Sequence, residues 1–333
     1  MAPLLIHLRR TALAVLLLAL ACKGDDPQAE PRTPVESPPA PTPAASPETA
    51  AAPAPKDDGV RSRLLAWLDP DAVSVAWVSV PQTLRGDVVS VVYGLPPRAE
   101  DLLQAVTDLE RALESVRPSE APATSTWLGS TALVSTGRLA RRPTVIRPLL
   151  EPLDEVRKHL QALELRRAED EVFEIWEPQR VFPYRVILLE GDVAAFVPAS
   201  EPGSGLTPLA AARDMPPSDV QEQLDALLGQ PGAPAIALFA SGPMLHLDLD
   251  QDVLAVRFEL LRGSDGSLDG QIALQLEGDA AAAVAALEGR KAPEQNDRVR
   301  ELVDRAAYLA DGEVVQGRLQ LPPADAALLR AEP

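Results

Sequence analysis

Four carboxylates with regular spacing are the residues best placed to bind a metal ion. Asp248, Asp250, Asp252 and Glu259 occupy positions 1, 3, 5 and 12 of the pattern by which a calcium loop supplies oxygen ligands. Position 6 of that pattern is glycine, because the loop turns sharply there, whereas this chain has Val253. The flanking residues alternate as in strands, whereas such a loop is bordered by helices. We therefore expect the carboxylates on the wet face of a hairpin and assign no metal ligand.

Nucleophilic catalysis needs a base beside a hydroxyl or thiol group. Of three histidines, only His159 and His246 lie beyond residue 21. The charged stretch DEVRKHLQ predicts a solvated His159 on a helix, and alternation with leucines predicts a strand on which His246 faces away from them. No serine stands in a G-x-S-x-G elbow, and no glycine-rich phosphate loop follows a strand. We assign no catalytic residue and no cofactor.

The tryptophans and the acidic residues scattered along the chain allow two further interpretations of function. The four tryptophans could line a sugar or peptide groove, but in a chain with 4% aromatic residues we interpret them as core anchors. They are Trp67, Trp77, Trp127 and Trp176. The paired carboxylates of a glycosidase need not be adjacent in sequence, so a hydrolase with dispersed acids stays open as an alternative.

The only cysteine, Cys22, directly follows a basic and then an apolar segment. Arg9 and Arg10 precede the apolar stretch 11–21, which is too short for a membrane span of about 20 helical residues. A basic region, a short apolar region and small residues at its end are typical of a secretory signal peptide. We predict such a peptide over residues 1–21.

Residues 19–22, Ala-Leu-Ala-Cys, resemble the lipobox of bacterial lipoproteins, although Ala19 stands where that motif usually has leucine. The resemblance implies that Cys22 is acylated, becomes the first residue of the mature chain, and anchors it to a lipid bilayer in the bacterial cell envelope. Lys23, where many inner-membrane lipoproteins have aspartate, favours the outer membrane. Plain secretion after cleavage at the A-x-A site stays the alternative.

A proline-rich segment separates this cysteine from the rest of the chain. Residues 23–58 contain ten prolines in 36 positions, and Val35 is their only sizeable apolar side chain. Such a composition cannot bury a core, so we predict a disordered tether over residues 22–58 with polyproline-II character.

The formal net charge of −18, from 49 acidic and 31 basic residues, excludes two classes of partner. An acidic field repels phosphate backbones, so we expect no nucleic-acid binding. The same field opposes electrostatic docking on anionic lipid.

From residue 59 the sequence alternates between strand and helix patterns, which predicts one globular domain over residues 59–333; a subdivision near 200–230 stays open. A helix over 99–116 has a single apolar stripe, and Asp279 is the expected N-cap of an alanine-rich helix. Strands interspersed with helices predict an α+β fold with a largely antiparallel sheet and packed helices. Expected strands are 72–80, 130–136, 171–177, 183–190, 192–198, 233–240, 253–262, 268–276 and 313–321. Expected helices are 60–70, 99–116, 151–163, 207–213, 217–228, 280–289, 296–309 and 323–331.

These observations predict a membrane-anchored envelope lipoprotein with a non-enzymatic binding or assembly role and unknown envelope protein partners. The hydrolase with dispersed carboxylates and a small-ligand or calcium-binding module stay as alternatives. A folded structure separates them, because an enzyme brings acids from different elements into one cleft and raises their pKa.

Overall fold

The structure, a computed structural model, describes most of the chain beyond residue 57. The described residues are 58–79, 85–119, 121–138, 140, 142–168, 170, 172–179, 182–200, 206–229, 234–246, 249–290 and 297–329. The predicted signal peptide, Cys22 and all but the last residue of the predicted tether lie outside them.

Twelve strands in the described part of the chain form one antiparallel sheet, which confirms the predicted α+β class. Their order across the sheet is β11-β12-β10-β9-β8-β1-β2-β3-β7-β6-β5-β4. The strands are β1 (Ala72–Ser79), β2 (Thr131–Gly137), β3 (Thr144–Pro148), β4 (Leu165–Ala168), β5 (Glu174–Pro178), β6 (Tyr184–Leu189), β7 (Val193–Pro198), β8 (Ile236–Met244), β9 (Val253–Arg262), β10 (Leu268–Leu276), β11 (Ala307–Asp311) and β12 (Val314–Leu321).

Ten α-helices in the same residues pack on this sheet, and none of them is long and apolar enough to cross a bilayer. They are α1 (Asp58–Leu65), α2 (Gly86–Tyr93), α3 (Pro97–Val116), α4 (Thr124–Trp127), α5 (Leu153–Ala162), α6 (Leu206–Asp214), α7 (Asp219–Leu228), α8 (Ala280–Gly289), α9 (Asp297–Asp304) and α10 (Pro323–Ala326). The predicted cap is confirmed, since the Asp279 side chain accepts a hydrogen bond from the Ala281 N–H at 2.9 Å.

The two faces of the sheet are covered to different extents. On the first face, a core that includes α2, α3, α5, α8 and α9 extends across the sheet from β4 to β11. The predicted stripe of α3 faces this core through Leu102, Val106, Leu109 and Leu113. On the second face, the described helices that pack on the sheet, α1, α6 and α7, cover it from β5 to β8 only.

The C-terminal end of α2 is buried, and side chains from distant parts of the chain bind its last carbonyl groups. Arg290 donates from Nη2 to the Val92 carbonyl at 2.7 Å, and His246 donates from Nε2 to the Gly94 carbonyl at 3.0 Å. The negative end of a helix dipole favours a cation. The guanidinium of Arg290 is therefore stabilised there, although no carboxylate of the described residues pairs with it.

One expected helix differs from the structure over half of its length. The expected helix 296–309 is wrong in its second half, because α9 ends at Asp304 and residues Ala307–Asp311 form β11. A two-residue hairpin, Gly312 and Glu313, joins β11 to β12, with Gly312 at φ +62°. We expected a longer helix because of the apolar stripe of α9. Beyond that stripe, the pairing of β11 with β12 determines the structure instead.

We expect Gly94→Ala to lower the free energy of unfolding by about 3 kcal/mol. Gly94 has φ +67°, where a side chain costs about 1–2 kcal/mol, and its Cβ would collide with the Arg290 guanidinium at further cost of about 1–3 kcal/mol. Chemical denaturation of the purified chain measures the difference.

Two other glycines serve as matched controls. Gly312 has a similar φ with open space around it, so Gly312→Ala should cost only about 1–2 kcal/mol. Gly289 has neither constraint, so Gly289→Ala should change the stability by less than about 0.5 kcal/mol. Equal losses in Gly94→Ala and Gly312→Ala would contradict the proposed collision with Arg290.

Candidate functional site

The uncovered part of the second face is the first candidate site, and we call it the open face. None of its side chains is buried. The hydrophobic core on the second face of the sheet contains no described residue of β9, β10, β11 or β12. Strand register places them in transverse rows, so that Gln271, for example, lies between Glu259 and Arg318. The open face comprises Ala255, Arg257, Glu259, Leu261, Asp269, Gln271, Ala273, Gln275, Ala307, Leu309, Asp311, Val314, Gln316, Arg318 and Gln320.

Ion pairs neutralise most of the charge on the open face. Arg257 donates from Nε to Glu259 at 2.6 Å, and Arg318 donates to both carboxylate oxygens of Asp269 at 3.0 and 2.6 Å. Exposed pairs of this kind contribute little to stability. Their effect is instead electrostatic, because they leave a nearly neutral surface on a strongly acidic chain.

The open face ends at β11, which is an edge strand of the sheet. Leu309, in the middle of β11, is 72% exposed, and the strand pairs only with β12. The opposite edge strand, β4, exposes Arg166 and Arg167. Charged side chains protect an edge from pairing with another chain, so β11 is the less protected of the two edges.

A small cavity on the covered part of the second face is the second candidate site. It has a volume of about 20 Å³, and its lining includes the buried carboxyl group of Asp69. Asp69 follows α1, and its Oδ1 accepts a hydrogen bond from the Asp71 N–H at 2.9 Å. The lining residues are Trp67, Asp69, Ser135, Gly137, Ala140, Thr144, Ile146, Val197, Pro208 and Leu209.

The ionisable group that lines this cavity is the carboxyl group of Asp69, and its pKa is shifted by its surroundings. Burial raises the pKa of the Asp69 carboxyl above its usual range, and the charge of Asp71 raises it further, whereas the hydrogen bond from the Asp71 N–H lowers it. On β2, a Cβ at Gly137 would lie 2.7 Å from Oδ2 of Asp69, so a larger residue there would displace the Asp69 carboxyl group. The Asp71 N–H is the only partner of this carboxyl among the described residues.

The two histidines differ from their expected placements. His159 is not solvated as expected, because its Nε2 lies 2.7 Å from Oε2 of Glu151 and its ring stacks on Trp127. No hydroxyl or thiol group of the described residues is among its bonded partners. His246 is not on a strand as expected; it follows β8 and is buried against α2, while Leu245 is exposed. The expectation that it points away from Leu245 is confirmed.

The calcium-like pattern lies along a strand. Glu259 is on β9, whereas Asp252 immediately precedes that strand, and the seven-residue extended separation is about 23 Å. Asp248 lies outside the described residues. Within the described ranges, no group of three histidine or acidic side chains is arranged to hold a metal ion.

The tryptophans are confirmed as core anchors, since all four are at least 93% buried. Trp67 also lines the Asp69 cavity. The acids Glu100 and Asp101 have a pKa raised by burial, but they lie on α3, away from the residues that line this cavity. Among the described residues, Asp69 is the only acid that lines this cavity.

Sequence reasoning missed both candidate sites. The alternation in β9, β10 and β12 contrasts with the continuous apolar composition of β1 and β7, and this difference is the signal of a sheet covered on one face only. Asp69 lies in the stretch WLDPD, which gives no signal of burial because aspartate commonly ends a helix or begins a turn.

No protein-family model and no curated protein matches this chain. Among solved structures, it is similar to crystal form I of TP0453, with 10% sequence identity and a TM-score of 0.44. The alignment covers 80% of this chain and 95% of that one. A likeness at this level carries no argument about function.

We expect Asp69→Asn to stabilise the protein at pH 7 more than at pH 4. An acid whose pKa is raised by folding stabilises the folded state below its unfolded pKa, and this contribution is lost as the pH rises through the folded pKa. Asparagine keeps the acceptor for the Asp71 N–H and has no such pH dependence. Denaturation at both pH values in low-salt buffer measures the difference, and a variant less stable than the wild type at pH 7 would contradict it.

Proposed function

We propose that this protein is a lipid-anchored envelope protein whose folded domain binds a protein partner through the open face. The observation that carries this proposal is the unequal covering of one continuous sheet. In the described part of the chain, helices bury the second face from β5 to β8, and none of them covers it across β9, β10, β12 and β11. The covered part supplies stability, and the bare part supplies a surface.

The character of the open face favours a protein as the partner. Its glutamines offer donors and acceptors, and its short apolar side chains, with Leu309 and Leu261, offer contact area. Ion pairing leaves it nearly neutral, so a partner meets little of the repulsion that a chain of net charge −18 otherwise produces. Nucleic acid stays disfavoured, because the net charge of −18 on the whole chain repels phosphate backbones.

The N-terminal sequence supports the anchor. A signal-peptide pattern, the lipobox-like residues 19–22 and a proline-rich segment follow one another. Two or more acyl chains give stable attachment, because each buried CH₂ contributes about 0.8 kcal/mol. Attachment at Cys22 in the outer membrane is the arrangement we propose.

We expect Cys22→Ala to release the full chain from membranes when it is produced in a bacterium that processes lipoproteins. Without the thiol there is no acyl attachment, so the protein should move from the membrane pellet to the supernatant on ultracentrifugation. Ser37→Ala, in the proline-rich segment, is the matched control and should sediment like the wild type. Firm sedimentation of Cys22→Ala would argue against lipidation.

We expect photo-crosslinking in cells to give discrete high-mass adducts only from positions on the open face. A photoreactive residue replaces the exposed Gln271 or Gln320 on that face, and the exposed Gln161 on α5 serves as the matched control. Gel electrophoresis of the irradiated cells detects the adducts. Adducts of equal yield from Gln161, or none from either open-face position, would refute the open face as the binding surface.

A further inference from the structure

The edge strand β11 has a charge pattern that is complementary to the same strand in the reverse direction. Asp311 is at one end of the strand and the exposed Leu309 is in its middle. Ala307, at the other end, lies beside Arg318 of β12. The carboxylate of Asp311 has no ion-pair partner among the described residues. The edge thus presents an apolar centre between an acidic end and a basic end.

A second copy of β11 that runs antiparallel to the first, centred on Leu309, pairs all five residues of the strand. Asp311 then lies opposite Ala307 of the second copy, in the same transverse row as Arg318 of that copy. Two strand spacings, about 10 Å, separate the Cα atoms of Asp311 and this arginine. The two side chains together span that distance, because only the methyl group of Ala307 lies between them. A parallel arrangement would instead place the two acidic ends side by side.

We propose that this protein forms a two-fold symmetric dimer in which the β11 strands of two copies pair antiparallel and continue the sheet. The backbone N–H and C=O groups that an edge strand leaves unpaired supply the hydrogen bonds. The charge pattern identifies a second copy as the occupant, because this one strand and its neighbour supply both charges of the contact. Two-fold symmetry repeats the contact between aspartate and arginine, which offsets locally the repulsion between chains of net charge −18.

The helix beside this edge also accommodates a second copy. On the first face, α8 packs on β11 and β12, and its exposed side chains include those of Ala281, Ala282 and Ala285. A two-fold axis perpendicular to the sheet brings the α8 helices of both copies together on that face. Because each helix lies over the last two strands, the two axes would be about 10 Å apart, which is the separation of packed helices. The short alanine side chains leave room for this approach.

Dimerisation of this kind also joins the open faces of the two copies. The same axis keeps both open faces on one side, so that four strands of each copy form a continuous surface. The contact itself uses the outer edge of β11 rather than the open face. The inference therefore does not rest on the proposed function, and it stands whether or not the open face binds another protein.

We expect Leu309→Cys to give a crosslinked dimer, because this position lies on the two-fold axis and faces its own copy. Tagged and untagged full chains are produced together in a bacterium that processes lipoproteins, and the cells are treated with a short bifunctional maleimide. Gel electrophoresis detects the adduct of a tagged with an untagged chain. Arg166→Cys, on the opposite edge strand β4, is the matched control and should give no such adduct. The wild type measures any contribution of Cys22.

Two charge variants test the register. Leu309→Lys places two lysines face to face, and Asp311→Lys places a lysine beside Arg318 of the second copy. Each should raise the dissociation constant of the dimer at least about tenfold, since like charges on paired strands repel each other. Sedimentation equilibrium of the purified full chain in density-matched detergent measures this constant, and circular dichroism verifies that each variant is folded. Leu150→Lys, at an exposed leucine that follows β3, should leave the constant unchanged.

Three outcomes would overturn the proposal. The first is the lack of a tagged–untagged adduct from Leu309→Cys, including the case in which that cysteine crosslinks only to a different protein. The second is an adduct of equal yield from Arg166→Cys. The third is a folded Leu309→Lys chain that dimerises as tightly as the wild type.

Discussion

The pairing of β1 with β8 is the contact on which the remaining architecture depends. It joins residues more than 150 positions apart, with Val75 opposite Phe239 and Trp77 opposite Ala237, and it makes one sheet of two strand groups. Closing so long a loop is entropically unfavourable, and the burial of β1 on both faces offsets it. Both candidate sites adjoin this seam, since Asp69 precedes β1 and the open face begins one strand beyond β8.

The sequence predicts an element correctly where its buried positions follow from the local pattern of apolar and polar residues. It fails where burial depends on partners elsewhere in the chain. The stripe of α3, the Asp279 cap and the β9–β10 hairpin are determined locally, and their predictions are confirmed. The strand β3 was missed because it contains Arg147, a cation that is buried by donating to the Gly129 carbonyl and pairing with Glu110 at 2.9 Å. Such a strand is stabilised by partners far along the chain, which composition does not show.

The same limit applies to the candidate sites. Of the acids singled out by spacing, Glu259 lies on β9 and Asp252 immediately precedes that strand, while the buried acid, Asp69, stands in an ordinary turn sequence. Likewise, His246 looks like a strand residue, yet its role is to bind a carbonyl at the end of α2, 152 positions earlier. Tertiary contacts determine whether a polar group is buried. Residue types and their spacing therefore did not predict the burial of Asp69 and His246.

The proposed anchor and the open face are compatible on physical grounds. The helix α1, where the described chain begins, packs on the second face, which is also the face left open across β9–β12. If residues 23–58 form the predicted polyproline-type tether, full extension would reach about 110 Å, which is several times the thickness of a bilayer core. Such a tether does not fix how the domain is oriented on its membrane. Under the proposed function, the partner that covers the open face would then set the orientation, and repulsion between the acidic chain and anionic lipid would leave that face available to it.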